Sequence, residues 1–173
     1  MTRVLFTVGH GTLESEAFSR LLRNAGVRRL VDIRSFPGSR RHPQFNREGM
    51  AGWLAEAGFS YRWEPRLGGR RRERPESPNE GLRNPSFRAY ADHMRTPEFS
   101  AGLHQLLGEA KAAPTVCMCA ESLWWRCHRR LVADAAALRE QAEVLHLLHD
   151  GTSQPHPVTE GCRIDAEGLL VYG

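Results

Sequence analysis

The sequence is almost without lysine: Lys111 is the only one among 24 basic residues, and the others are all arginine. Coding sequence rich in G and C gives the same excess, so composition alone assigns arginine no role. It does supply planar guanidinium forks, which grip a phosphate or carboxylate at two points. Cysteine is scarce as well, four in 173 residues. Cys117, Cys119 and Cys127 fall in one short stretch with Cys162 far behind, unlike the framework of a disulfide-stapled secreted domain. No apolar run approaches the length of a membrane span, and no N-terminal stretch joins a basic start, an apolar centre and a small-residue cleavage site. These absences predict a cytoplasmic protein with reduced thiols and no membrane partner. A chain of 173 residues buries one good core, so a single domain over 1–173 is expected.

What is present alternates between two periods. Arg3 to Val8 is an apolar run stopped by Gly9, and Phe18, Leu21, Leu22 and Ala25 then recur at helical spacing until Gly26. Val27 to Ile33 is a second strand, Arg47 to Ala57 a helix, and Phe59 to Trp63 a third strand. Residues 66–85 are rich in Gly, Arg and Pro and read as a mobile loop. Helices are predicted at Ser86 to Met94, Pro97 to Lys111 and Cys127 to Glu140, with strands at Thr115 to Ala120 and Val144 to Leu148. Residues 151–173 read as an irregular tail, with a hairpin around Glu167-Gly168. Strands alternating with helices predict an α/β fold: a mostly parallel sheet with helices on both faces, and a site at the carboxyl ends of the strands.

That rule selects among the polar residues. The ends of the three best strands deliver His10, then Asp32 with Arg34 and Ser35, then Cys119 with Glu121. Carboxylates beside a guanidinium are either tuned for proton transfer or locked in a structural ion pair. Cys127, His128, Arg129 and Arg130 are expected in the first turn of a helix, where a thiolate gains from the free N–H groups and from His128. No glycine-rich loop follows Cys127 to wrap a phosphate. A metal on Cys119, Cys127 and His128 is the alternative, although the spacing is not that of a paired Cys-x-x-Cys site; otherwise no cofactor is expected.

Several motifs together resemble the bacterial and archaeal family called domain of unknown function 488. They are Thr7-Val-Gly-His10, Val31-Asp-Ile-Arg-Ser-Phe-Pro-Gly-Ser-Arg40, Phe45-Asn46, Tyr61, Leu67-Gly-Gly69, Tyr90 with Met94, and Cys119-Ala-Glu121 running to Cys127-His-Arg129. The resemblance implies an α/β domain with these motifs at one cleft, which adds Ser39, Arg40, Tyr61, Gly68, Gly69 and Arg129 to the expected lining. Leu123-Trp124-Trp125 departs from the pattern as a longer, more aromatic link.

The leading functional expectation is a hydrolase of nucleotides or nucleic acid that breaks an N-glycosidic or phosphoester bond. Asp32 or Glu121 would activate water, Arg34 and Arg129 would hold anionic groups, and His10 or His128 would move a proton. Arg40, Arg41, Arg70, Arg71, Arg72 and Arg74 would grip the backbone, and Phe36, Tyr61, Trp124 and Trp125 would stack a base. The alternatives are a non-catalytic nucleic-acid-binding module and a thiol or metal enzyme centred on Cys127.

Overall fold

The computed structural model describes residues 3–173, so residues 1 and 2 of the expected domain lie outside it. The strands are β1 (Val4–Gly9), β2 (Arg29–Asp32), β3 (Ser60–Trp63), β4 (Thr115–Cys119), β5 (Glu143–Leu147) and β6 (Ser153–Pro155), which form one sheet in the order β3-β2-β4-β1-β5-β6. Every pairing is parallel except β5 with β6. The mostly parallel α/β sheet read from the sequence is the fold found. β7 (Cys162–Ile164) and β8 (Leu170–Tyr172) pair as a separate antiparallel hairpin.

Among the described residues five α-helices cover the sheet: α1 (Ser15–Asn24), α2 (Arg47–Glu56), α3 (Pro85–His93), α4 (Pro97–Ala112) and α5 (Arg129–Asp134). Period two along the strands splits the core. Leu30, Val116 and Met118 pack with Phe18, Leu22, Met50 and Leu54 of α1 and α2. Val31 and Cys117 pack with Leu103, Leu107, Leu131 and Val132 of α4 and α5 on the other face. Each fully buried Leu or Phe contributes roughly 1.5–3 kcal/mol, so both layers of helix are held by their apolar stripes. Asn84 caps α3 through the amides of Ser86 and Phe87, and Thr96 caps α4 through Phe99, with proline at the first helical position of each.

One local expectation needs correction. The single helix read over Cys127 to Glu140 is shorter and uneven: Cys127 is extended, α5 starts at Arg129, and the last turn widens over Ala135–Arg139. Where the turn widens, the Asp134 carboxylate is tied to His156, the Thr159 amide and Tyr172 from the C-terminal segment. Segment 66–85 is largely irregular, yet Leu67, Asn79 and Leu82 are buried. Asn79 donates to Asp92 and accepts from the Tyr172 amide, pinning the segment to α3 and β8. No helix among the described residues is long and apolar enough to cross a membrane.

Candidate functional site

β4 is inserted between β1 and β2, so the loops leaving these three strands diverge around a common opening. A cleft of about 720 Å³ lies there, and its wall includes His10, Arg34, Glu121, Cys119, Cys127 and His128. Pairing continues past the strand ends, with the His10 amide on the Cys119 carbonyl and the Gly11 amide on that of Ala120. Gly9 makes the approach feasible: a Cβ there would lie 1.7 Å from the Glu121 carbonyl oxygen.

His10 Nδ1 lies 2.8 Å from the Gly11 carbonyl, so Nδ1 carries the proton and Nε2 accepts from Arg34 Nη1 at 3.3 Å. The ring stacks on Phe45 with centroids 4.2 Å apart. Burial, helped by the Arg34 charge, pulls its pKa from 6.5 down to about 4, against the opposing Gly11 hydrogen bond and Asp32 charge. His10 is therefore neutral at pH 7.

Asp32 is fully buried and does not reach the cleft wall. Its Oδ1 accepts from the Arg34 amide and Nε, and its Oδ2 from Arg34 Nη2 at 2.7 Å and the Tyr61 hydroxyl at 2.6 Å. With both oxygens occupied, the carboxylate acts as a bracket that aims the guanidinium toward His10 and the cleft. Burial and the Asp32 charge hold the Tyr61 phenol protonated, its pKa pushed above the ordinary tyrosine range.

The sulfur atoms of Cys119 and Cys127 are 3.0 Å apart, both free thiols. Cys119 Sγ is also 3.3 Å from the Glu121 carbonyl, so its single S–H is shared between the two acceptors. The Arg129 amide points to Cys127 Sγ at 3.4 Å. The two thiols diverge: the Cys119 hydrogen bond, the neighbouring His128 and the Arg129 charge draw Cys127 well below the ordinary thiol range despite its burial. Burial, with Cys127 beside it, drives Cys119 well above that range. Of the two, Cys127 is the more acidic thiol.

Second contacts fix these groups. His128 Nε2 donates to the Ile33 carbonyl at 2.8 Å, its ring packs on Tyr90, and a Cβ at Gly69 would fall 2.5 Å from Nδ1. Glu121 faces the cleft while its Oε1 accepts the Leu123 amide, closing the loop after β4. Arg129, expected to hold a substrate anion, is 1% exposed; its Nη1 donates to the Thr7 hydroxyl and its Nη2 to the carbonyls of Glu121 and Ser122, while Nε is buried without a partner among the described residues. It is a clamp for the loop that carries Glu121.

Of the other expected residues, Ser35, Ser39 and Gly69 line the cleft. Ser35 Oγ accepts the Arg70 amide, and Ser39 Oγ that of His42. Gly68 is buried against Ser35, Tyr61 faces away from the cleft wall, and Arg40 is exposed outside it. Trp124 is buried, stacked on His146 at 4.4 Å, and Trp125 lies off the wall. Phe36, 71% exposed, is on the rim with Arg70 beside its ring. Among the described residues no three His, Cys, Asp or Glu side chains are grouped to hold a metal, Cys119, Cys127 and His128 included.

Sequence reasoning missed His42, Phe87 and Arg126 on the wall. Nothing in their local sequence separates them from surface residues. It also missed a buried chain running Asp134, His156, His146, Thr7 and Arg129 behind β1. A histidine and a threonine inside apolar strands were its available signal.

Residues 14–136 match the family model described as Domain of unknown function DUF488, and the chain belongs to that family. No curated protein and no solved structure matches it.

Proposed function

We propose that this member of the DUF488 family is a cysteine-dependent hydrolase of an anionic substrate of the nucleotide or nucleic-acid class, with Cys127 as nucleophile. The observation that carries the reading is the Cys127 sulfur on the cleft wall, 3.0 Å from a second thiol and accepting a backbone amide. Arg34, Arg70 and Arg126 line the same cleft against one carboxylate, Glu121, so its field favours an anion. Phe36 and Phe87 supply apolar faces for a ring.

In this scheme Cys127 attacks the electrophilic centre, the leaving group departs with a proton from His128, and Glu121 takes a proton from the water that releases the adduct. Asp32 and Tyr61 support by holding Arg34. The reduced cytoplasm suits the reading, since it keeps both sulfurs as thiols.

A second reading is supported by Glu121 being the one carboxylate on the cleft wall: Glu121 directs water straight at a phosphoester or N-glycosidic bond. The test is incubation with nucleotides and with plain and base-modified DNA and RNA, comparing wild type with Cys127→Ala and Glu121→Gln. Covalent catalysis predicts no turnover in Cys127→Ala and an adduct on Cys127 that accumulates in Glu121→Gln. Turnover retained in Cys127→Ala and lost by at least about 100-fold in Glu121→Gln selects direct water attack. Salt-sensitive binding without turnover by wild type identifies a binding module instead.

A further inference from the structure

Hydrolysis at Cys127 gives Cys119 no task beyond hydrogen bonding, which a serine hydroxyl would perform equally well. Its sulfur is nevertheless 3.0 Å from Cys127 Sγ, and contraction by about 1 Å reaches a disulfide bond length. The two thiols also differ in access. Cys119 is only 2% exposed at the end of β4, whereas Cys127 is partly exposed, so a molecule in the cleft meets Cys127 first.

We propose that the Cys119–Cys127 pair is a dithiol–disulfide couple that reduces an anionic disulfide bound in the cleft, with Cys127 attacking and Cys119 resolving. The proposal rests on Cys127 being the nucleophile and adds a second activity to it. The Cys127 thiolate attacks one sulfur of R–S–S–R′, forming the mixed disulfide Cys127–S–S–R and expelling R′–S⁻, which takes a proton from solvent. Cys119 then gives up its proton to the departing sulfur as it attacks Cys127 Sγ, so the S–S bond between Cys127 Sγ and the sulfur of R breaks and R–SH leaves. The sum is protein dithiol (one arm ionised) plus R–S–S–R′ plus one proton, giving protein disulfide, R–SH and R′–SH. Two electrons pass from the protein to the substrate, and a cellular dithiol reductant returns them by the same exchange in reverse.

The cleft's charge sets the substrate class. Arg70 and Arg126 flank the approach to the sulfurs, and Phe36 on the rim adds an apolar face, so a disulfide bearing carboxylates or phosphates is favoured over a neutral one. The hydrogen bond from the Arg129 amide to Cys127 Sγ stabilises the same sulfur when it leaves during re-reduction.

The test uses the full chain with Cys162→Ser, which removes the other partly exposed thiol, and dithiobis(nitrobenzoate) as the anionic probe. One equivalent of probe should release two equivalents of aryl thiolate and leave a Cys119–Cys127 disulfide in the peptide map. Adding Cys119→Ser should stop the reaction at one equivalent, with the aryl group retained on Cys127. Cys119→Ala should behave alike, which guards against misfolding of either variant. For the charge preference, dithiodipropionate should react at least about 10-fold faster at low salt than bis(hydroxyethyl) disulfide, a neutral alkyl disulfide with a leaving thiol of similar acidity. A wild-type adduct that persists on Cys127 while Cys119 stays free overturns the couple and leaves the nucleophile standing. An unreactive Cys127 removes both, and equal rates with the neutral probe overturn the anionic preference.

Discussion

Gly69 and His128 share a single space: the imidazole Nδ1 lies where a side-chain carbon on residue 69 would sit, 2.5 Å from the ideal Cβ position. The ring is also tied to the Ile33 carbonyl, so it cannot retreat without breaking that bond. Gly69→Ala is therefore expected to turn His128 away from Cys127 while leaving the core intact. The pH profile of iodoacetamide modification at Cys127 should shift upward. An unchanged profile would show that His128 does not support the thiolate.

Asp32→Asn should strike stability rather than a proton transfer. It leaves the Arg34 guanidinium, 6% exposed, without its paired charge. Breaking a buried ion pair from one side costs about 3–5 kcal/mol. Tyr61→Phe, which removes one hydrogen bond to the same carboxylate, should cost about 1.5–3 kcal/mol. Urea unfolding measures both, and an Asp32→Asn protein as stable as wild type would return Asp32 to the list of catalytic candidates.

Acid should destabilise the fold through histidines held neutral. His10 is pulled from 6.5 to about 4 by burial, and His146 to about 2 by burial and by the His156 and Arg129 charges. With lowered folded values, the unfolded chain binds protons first, so stability is intact above about pH 6.5 and is lost as pH falls toward 4 and below. Between pH 7 and 5 each histidine should cost about 2 kcal/mol. A His146→Gln variant should show a shallower slope than wild type in urea midpoints over that range, with His10 and the buried His93 supplying the rest.

If nucleic acid is the partner, Arg70→Ala and Arg126→Ala should each weaken single-strand binding across sequences and lower the salt slope by about one. A slope that does not move, measured by fluorescence anisotropy, would place the phosphates elsewhere.

Strand positions and the gathering of β1, β2 and β4 loops were legible because apolar runs and glycine stops are local signals. The roles of Asp32 and Arg129 were not. A charged residue after an apolar strand looks the same whether it faces solvent or a buried partner. Asp32 finds Tyr61 across the parallel pair β2–β3, and Arg129 finds Thr7 across 122 residues. Asp134, where α5 gives way to a wider turn, bonds the distant His156 and Tyr172, contacts that the local pattern from Cys127 to Glu140 does not carry. Cys127 was recognised by residue type, but its pairing with Cys119 depends on the turn at Trp124–Arg126, which brings the chain back over β4.

The sheet order also sets a sequence of events. β1 and β2 both precede β4 in the chain, yet they never pair with each other, because β4 stands between them and arrives only with Thr115–Cys119. Until then the nascent chain carries two apolar strands with unsatisfied edges, a state open to misassociation. The sulfur-bearing strand closes this gap, so joining the two parts of the sheet and bringing the ends of β1, β2 and β4 together around the cleft are one folding event.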